Sequence, residues 1–239
     1  MDQNINTGKK NRRVRLEEIK EGCIKLNGHD GTETEVCMVQ EELRQGISTI
    51  QSYKTAVTFY GSARLPDTHP DYQKARQLAY KIVKELDYAV LSGGGPGIME
   101  AANRGASEAG GKSVGLTIRL NHEQVTNKYV NDEIPFYFFF TRKVSMSYST
   151  DACLFFPGGF GTLDELFEMI TLKQTGKIDP VPLILVGTEY WNKFQAVIEE
   201  SLLKKYETIT SDDLKLYTIT DDEDEIVKII RDSKVRKAE

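Results

Sequence analysis

The feature that most constrains this 239-residue chain is an apolar run that stops at a proline and passes through glycines into a helix. The junction reads Phe155-Phe156-Pro157-Gly158-Gly159-Phe160-Gly161-Thr162-Leu163-Asp164-Glu165. A strand that enters a helix through glycines brings backbone N–H groups and the positive end of the helix dipole close to an anion. The junction therefore predicts a phosphate site in an α/β fold. Asp164 and Glu165 are unexpected there, because they put two carboxylates beside that site.

Strand and helix patterns alternate along the rest of the chain. Apolar runs predict strands at residues 56–60, 88–91, 113–118, 136–140, 152–156, 181–186 and 216–219. Helical spacing predicts helices at residues 39–52, 70–86, 96–109, 142–149, 162–174, 189–204 and 221–232. Such alternation is typical of the α/β class, here a Rossmann-like, doubly wound parallel sheet with helices on both faces.

The chain divides unevenly. Residues 1–40 are polar and lack periodicity, and we expect them to form an N-terminal extension. Its short basic run favours a solvated tail over a nucleic-acid-binding arm. That run consists of Lys9, Lys10, Arg12, Arg13 and Arg15. Residues 41–239 are predicted to form one nucleotide-binding domain with a C-terminal strand and helix as an appendage.

Composition excludes several classes of partner. The formal net charge of −5 argues against nucleic acid as a partner, and no apolar run reaches the ~18 residues of a membrane span. Cys23, Cys37 and Cys153 contain no C-x-x-C pair, so we expect reduced thiols and a cytoplasmic location. Cys23, His29 and Cys37 match no zinc spacing, and no metal is expected.

Three predicted strands end in small or glycine residues. Gly61-Ser62 follows the first strand, Gly93-Gly94-Gly95 follows the second, and the junction at Gly158 follows the fifth. Parallel sheets bind ligands beyond the carboxyl ends of their strands, so we expect these turns to meet in one crevice. The residues predicted to bind the ligand there are Gly61, Ser62, Gly94, Gly95, Gly158, Gly159, Gly161 and Thr162.

Two familiar nucleotide motifs do not fit. A dinucleotide fingerprint starting at Gly93 would need glycine at position 98, which is Ile98. The stretch 105–113 has glycines and a lysine, but its second glycine is misplaced and it precedes a strand. Neither a nicotinamide site nor a P-loop is predicted.

The helix after Gly161 places its acids unusually. Helical geometry puts Leu163, Leu166, Phe167 and Ile170 on the core face, with Glu165 and Glu168 opposite and Met169 beside Glu165. An acid with apolar neighbours on that side indicates a pocket wall or a subunit contact. The alternative is local, because Thr162-x-x-Glu165 also fits a capping box.

Two of these motifs resemble signatures of the LONELY GUY family, whose members are cytokinin-activating phosphoribohydrolases often mislabelled as lysine decarboxylases. The junction from Pro157 to Glu165 is similar to the family's P-G-G-x-G-T-x-x-E signature, and Arg142-Lys143 matches its upstream Arg-Lys pair. The resemblance covers roughly residues 55–200. It implies hydrolysis of the N-glycosidic bond of a nucleoside 5′-monophosphate, without a cofactor.

The resemblance also implies roles for individual residues. The family's essential pair falls on Arg142 and Glu165, and its phosphate loop falls on the glycines from 158 to 161 with Thr162. Two further substrate contacts fall on Glu123 and Thr171. Lys143 is expected to add positive field or to be an ordinary surface lysine, and Glu100 either touches ligand or caps its helix.

The family also brings alternatives. The second glycine stretch and the extra segments at both ends resemble the longer bacterial subgroup, whose members form higher oligomers than a dimer. A homo-oligomer is therefore expected, and the base preference, cytokinin nucleotide or AMP at large, stays open. The rival function is a non-catalytic carrier or sensor related to molybdenum-cofactor carriers, against which Arg142 and Glu165 together favour an enzyme. A pyridoxal-dependent decarboxylase has only the family's older label behind it.

Overall fold

The structure, a computed structural model, describes residues 16–119, 126–147 and 150–233. The strands in these ranges are β1 (Ala56–Tyr60), β2 (Ala89–Ser92), β3 (Ser113–Ile118), β4 (Asp132–Phe136), β5 (Ala152–Phe155), β6 (Leu183–Leu185) and β7 (Thr218–Ile219). The α-helices are α1 (Leu16–Asn27), α2 (Thr32–Gln51), α3 (Pro70–Leu86), α4 (Ile98–Glu108), α5 (Phe139–Ser147), α6 (Phe160–Gln174), α7 (Thr188–Val197) and α8 (Glu223–Asp232). A π-helix (Ile198–Lys205) continues α7, and a 3-10 turn (Asp213–Lys215) precedes β7.

The strands form one sheet in the order β4-β3-β2-β1-β5-β6-β7, and every neighbouring pair is parallel. The order reverses between β1 and β5, where Tyr60 pairs with Phe155. In doubly wound sheets the crevice at such a reversal is where ligands bind. The predicted fold class is confirmed.

Hydrophobic cores lie on both faces of the sheet. Val57 and Phe59 of β1 pack with α3, α4 and α8 on one face, whereas Ala56 and Tyr60 pack with α5, α6 and α7 on the other. All five residues of β1 are buried because both faces are covered, which is why this strand reads as a continuous apolar run rather than an alternating one.

The aromatic run at 136–140 was predicted to be a strand, and this prediction is wrong. The strand β4 lies four residues earlier and pairs with β3, and α5 already begins at Phe139. β4 is the outermost strand, so it tolerates Pro135 and two acids that argue against a central strand. Tyr137, Phe139 and Phe140 are exposed rather than packed in the sheet.

Residues 16–51 form a helical hairpin, so the expected tail does not extend to residue 40. The helices α1 and α2 bury Leu16, Ile19 and Met38 between them, and the predicted helix at 39–52 begins earlier, at Thr32. The basic run at 9–15 lies outside the described residues. The division into an extension and a domain stays a prediction.

A disulfide joins the two helices of this hairpin. Cys23 and Cys37 are bonded, with Cα atoms 5.8 Å apart, so the prediction of reduced thiols is wrong for this pair. No C-x-x-C pair marked this bond in the sequence. The bond joins two helices in a region that was predicted to be an extension without regular structure. Cys153 is a free and buried thiol.

Candidate active site at the carboxyl edge of the sheet

The turns after β1, β2 and β5 meet as expected, and Ser62 joins them. Its N–H donates to the carbonyl of Pro157 at 3.0 Å, and its carbonyl accepts from the N–H of Ile98 at 2.9 Å. Gly61 packs against Ile98 so closely that a Cβ would lie 2.7 Å from that side chain. These hydrogen bonds join the turns into one edge of the crevice, at the point where the strand order reverses.

The glycine junction opens the N-terminus of α6 to solvent. Gly159 is the N-cap residue, no side chain caps the helix in the described chain, and the N–H of Leu163 is the first to bond back, to the carbonyl of Gly159. Gly159 and Gly161 are exposed, and a Cβ on either would meet nothing within 4 Å. Uncapped N–H groups and the helix dipole favour an anion at this position.

The capping-box alternative for Glu165 is wrong. The helix starts two residues earlier than predicted, so Thr162 lies inside its first turn and is buried instead of occupying the N-cap position. Glu165 consequently has no capping role and points into the crevice.

Two side chains of helix α7 donate hydrogen bonds to backbone carbonyls of the glycine junction. The hydroxyl of Tyr190 donates to the carbonyl of Gly158 at 2.6 Å, and the indole N–H of Trp191 donates to the carbonyl of Phe155 at 3.0 Å. Neither residue was predicted from the sequence. Their only signal was an aromatic pair at the start of a helix, which is common in cores.

Arg142 reaches the crevice from the first half of α5. Its Nε donates to the carbonyl of Leu116 at 2.7 Å, and its side chain is 11% exposed. The guanidinium occupies the space above Gly93, where a Cβ would lie 2.4 Å from Nη2. This contact explains why the second turn begins with a glycine.

Glu165 faces Arg142 across the crevice. The distance from its Oε1 to Nη1 of Arg142 is 3.8 Å, an ion pair without a direct hydrogen bond, and its side chain is 20% exposed. Burial raises the pKa of Glu165 to about 7, and the positive charge of Arg142 opposes that rise. A carboxylate with such a pKa can exchange a proton near neutral pH.

Other charged and titratable groups also surround Glu165. Lys143 of α5 is bonded to acids of α6, with its Nζ 2.8 Å from Asp164 and 3.2 Å from Glu168. Lys143 therefore places its positive charge between α5 and α6, where it acts on Glu165. Tyr60 of β1 and Cys153 of β5 also interact electrostatically with Glu165, and burial raises the pKa of both groups.

The second glycine turn is fixed by a buried amide network that the sequence analysis missed. The Nδ2 of Asn127 donates to the carbonyls of Gly94 at 3.1 Å and Gly95 at 3.0 Å and to Oδ1 of Asn103 at 2.9 Å. These two carbonyls are thus engaged within the protein. Asn127 lay in a polar connection whose composition gave no structural signal.

The inward face of α6 is rotated from the predicted one. Thr162, Leu166 and Met169 are buried, so Met169 is a core residue and not part of an outer apolar face, whereas Phe167 is exposed. Glu165 shares the inward face. Of the predicted core residues, Leu166 is confirmed as buried, and Leu163 and Ile170 are half-buried against the same core.

Three further residues were predicted, of which the structure describes two. Thr171 is exposed, lies roughly 120° around α6 from Glu165, and donates its hydroxyl to the carbonyl of Phe167 at 2.7 Å. Glu100 does not cap α4, and its Oε1 accepts from the hydroxyl of buried Tyr72 at 3.0 Å. Glu123 lies outside the described residues.

The described ranges contain neither a cluster of metal ligands nor a helix suited to crossing a membrane. No three His, Cys, Asp or Glu side chains within them are grouped as a metal site requires. Across the same residues no helix combines the length and apolarity that a bilayer crossing demands.

Comparison with known sequences identifies a related group. The sequence model of a family described as possible lysine decarboxylase matches residues 99–230. The chain is 32% identical over 130 residues to cytokinin riboside 5′-monophosphate phosphoribohydrolase LOG5 of Arabidopsis thaliana, a match that spans 54% of this chain and 57% of that protein. Identity to LOG7 of the same plant is 29% over 157 residues, or 64% of this chain and 71% of LOG7.

Solved structures share the fold at lower identity. The molybdenum cofactor binding protein from Rippkaea orientalis has a TM-score of 0.52 and 20% identity, covering 74% of this chain and 94% of that one. The molybdenum cofactor carrier protein from Chlamydomonas reinhardtii has a TM-score of 0.53 and 17% identity, covering 76% and 99%. At such identities the likeness shows the fold alone.

Proposed function

The chain belongs to the LONELY GUY family, whose sequence model carries the description possible lysine decarboxylase, and from this we propose that it is a phosphoribohydrolase. The proposed reaction is hydrolysis of the N-glycosidic bond of nucleoside 5′-monophosphates, AMP and cytokinin nucleotides included. The products are the free base and ribose 5-phosphate. The observation that supports it best is the pair Arg142 and Glu165, set beside an uncapped helix N-terminus.

The 5′-phosphate is proposed to bind at the start of α6. The exposed backbone at Gly159 and Gly161 leaves room for a close approach, and the first N–H groups of the helix supply donors. Glu165 lies about one helical turn further on, roughly 5 Å along the axis, which is comparable to the length of a ribose. Phosphate at the loop would therefore bring the anomeric carbon toward the carboxylate.

Glu165 is proposed to act on the sugar. Cleavage of the C1′–N bond leaves its electron pair on the base and builds positive charge on the ribose, which an ionised carboxylate stabilises. Water then supplies the hydroxyl to C1′, and its proton is transferred to the departing base, directly or through the carboxylate. Water is the only co-reactant, so the proposed reaction uses no cofactor.

Arg142 is proposed to keep Glu165 ionised. The guanidinium is anchored at Leu116 and lies 3.8 Å from the carboxylate, so its charge favours the anionic form without a hydrogen bond that would occupy the reacting oxygen. The same guanidinium has further donors that can reach a phosphate oxygen.

A carrier of a phosphorylated cofactor is the second candidate. Structural neighbours include a molybdenum cofactor binding protein and a molybdenum cofactor carrier protein. A carrier needs an anion site but no carboxylate beside the sugar. Turnover therefore discriminates the two, because a carrier would bind nucleotide without releasing base.

We also propose a homo-oligomer with a second copy of this chain over the site. Exposed apolar side chains flank the crevice on two neighbouring helices, with Phe139, Phe140 and Val144 on α5 and Phe160 and Phe167 on α6. Phe160, in the anion loop itself, is 92% exposed. Apolar groups concentrated this way mark interaction surfaces. Light scattering should give a multiple of the chain mass, and a monomer would refute the proposal.

The test of function is a substrate panel. The protein is incubated with AMP, isopentenyladenosine monophosphate, adenosine, and L-lysine with added pyridoxal phosphate, and products are separated by chromatography. We expect free base from the two monophosphates, little from adenosine, and no cadaverine. Nucleotide binding without base release would favour the carrier, and cadaverine would favour the decarboxylase.

A further inference from the structure

The N-terminal hairpin packs directly on the helix that carries Arg142. Gly46 of α2 lies so close to α5 and β4 that a Cβ there would be 2.4 Å from Oγ of Ser145 in α5 and 2.8 Å from Cζ of Phe136 in β4. The hairpin is therefore part of the wall behind the active site.

One buried acid of the hairpin reaches the start of α5. The carboxylate of Glu42 accepts from the N–H of Tyr137 at 2.8 Å and from the N–H of Phe138 at 3.3 Å. It also accepts from the hydroxyl of Thr141 at 2.7 Å. Glu42 is only 2% exposed, and all three donors are uncharged. Burying a carboxylate that accepts only from neutral donors costs free energy, so the arrangement indicates a specific role for Glu42.

These contacts end at the residue before Arg142. Thr141 is the last donor to Glu42, and the N–H of Arg142 bonds back to the carbonyl of Phe138 at 3.3 Å, within the same turn. The direction in which Arg142 leaves the helix is thus set by a turn that Glu42 fixes on two sides. From there its Nε reaches Leu116 and its Nη1 faces Glu165.

We propose that Glu42 is a positioning residue for the active site, holding the first turn of α5 so that Arg142 is held beside Glu165. The proposal rests on the proposed function for its catalytic meaning. It assigns the hairpin a task within the site, although the sequence of this region carries no nucleotide-binding motif.

The variants Glu42→Gln and Glu42→Ala test this role. Alanine removes the carboxylate, whereas glutamine keeps the shape and one acceptor, so Glu42→Gln serves if Glu42→Ala fails to fold. Thr34→Val is the matched control, because Thr34 is also fully buried in the hairpin but donates to the carbonyl of His29 at 2.6 Å and not to α5.

The decisive measurement is the pH dependence of base release from AMP. If Arg142 is displaced, Glu165 loses a favourable charge and its acid limb moves to higher pH. The remaining groups that face Glu165 are Lys143 from α5, Asp164 and Glu168 from α6, Tyr60 from β1 and Cys153 from β5. We expect kcat/KM to fall on the order of 10- to 100-fold in Glu42→Ala and less in Glu42→Gln. Thr34→Val should lower the melting temperature and leave the pH profile unchanged.

A second arm does not depend on turnover. With carbon-13-labelled glutamate, the Glu165 carboxyl signal, identified by its loss in Glu165→Gln, is titrated in each variant. An upward shift in Glu42→Gln that is missing in Thr34→Val supports the positioning role. An unshifted titration in both Glu42 variants overturns it. If the wild type releases no base, the proposed function fails, and this titration still decides the role of Glu42.

Discussion

Arg142 and Glu165 face each other at 3.8 Å although they belong to different helices, α5 and α6, which strand β5 separates along the chain. The separation is too long for a hydrogen bond, so both oxygens of the carboxylate keep acceptor capacity for a substrate. The pair combines a buried acid that is reluctant to ionise with a fixed positive charge that favours ionisation. This balance determines how the site should respond to pH and to substitution.

Base release should depend on the ionisation of Glu165. Because burial raises the pKa of Glu165 to about 7, we expect the rate to rise from pH 6 to pH 8. Arg142→Ala should move this limb to higher pH and reduce kcat, because the charge that lowers the pKa is lost. Arg44→Ala, which removes an exposed arginine paired with Glu41, should leave the profile in place. An acid limb near pH 4.5 in the wild type would contradict the assignment.

The stability of the fold should fall, whereas the rate of base release rises, as the Glu165 carboxyl ionises. A folded-state pKa above the unfolded one means that ionisation of Glu165 destabilises the fold, increasingly from about pH 4.5 to about pH 7. Glu165→Gln should therefore melt higher than the wild type at pH 8 and equally at pH 4. Glu41 is the control, because Arg44 lowers its pKa, so Glu41→Gln should lose stability above pH 4.5. Thermal unfolding across pH measures both, and a Glu165→Gln variant that is less stable at pH 8 would oppose the prediction.

Gly93→Ala should inactivate the site without unfolding the protein. A Cβ there would lie 2.4 Å from Nη2 of Arg142 and 2.6 Å from Sδ of Met99, both ends of flexible side chains that can move. Activity should fall on the order of 100-fold because Arg142 is displaced. Gly22→Ala is the control, because a Cβ there meets nothing within 4 Å, and it should raise stability by about 0.5–1 kcal/mol in mid-helix. Full activity in Gly93→Ala would show that Arg142 is not needed where it lies.

The disulfide should be detectable in the purified protein. Cys23 and Cys37 are 14 residues apart, so their bond should contribute about 3 kcal/mol to hairpin stability by restricting the unfolded chain. Mass spectrometry without reductant should find this bond and one thiol, Cys153, that reacts only after unfolding. Two further free thiols in protein taken directly from cells would indicate a reducing location, such as the cytoplasm, and a bond formed afterwards.

The crevice could be predicted from the sequence because its chemistry is local. Glycine turns after apolar runs indicate strand ends, and parallel strands bring those ends together, as the contacts of Ser62 with Pro157 and Ile98 confirm. The pairing of Arg142 with Glu165 was expected from the family resemblance. The distance between the two side chains and the raised pKa of Glu165 depend on tertiary packing and burial, which local sequence pattern does not reveal.

The errors arose where tertiary contacts override local pattern. The run 136–140 has the aromatic content of a strand, yet helix α5 begins within it because Glu42, almost a hundred residues earlier, accepts from the N–H groups of its first turn. The hairpin looked like a tail because its small core is shared between two helices and a disulfide. Helix α6 begins at Phe160, two residues before its predicted start, because Gly159 serves as the N-cap residue without a side chain, which no capping pattern in the sequence signals.

Glu165 is proposed to act in cleavage of the glycosidic bond while the loop at α6 binds the phosphate. The most direct measurement compares wild type and Glu165→Gln for AMP binding by calorimetry and for adenine and ribose 5-phosphate release by chromatography. We expect the wild type to release both products in equal amounts, and Glu165→Gln to bind AMP with similar affinity and release neither. Undiminished adenine release from Glu165→Gln would contradict the account.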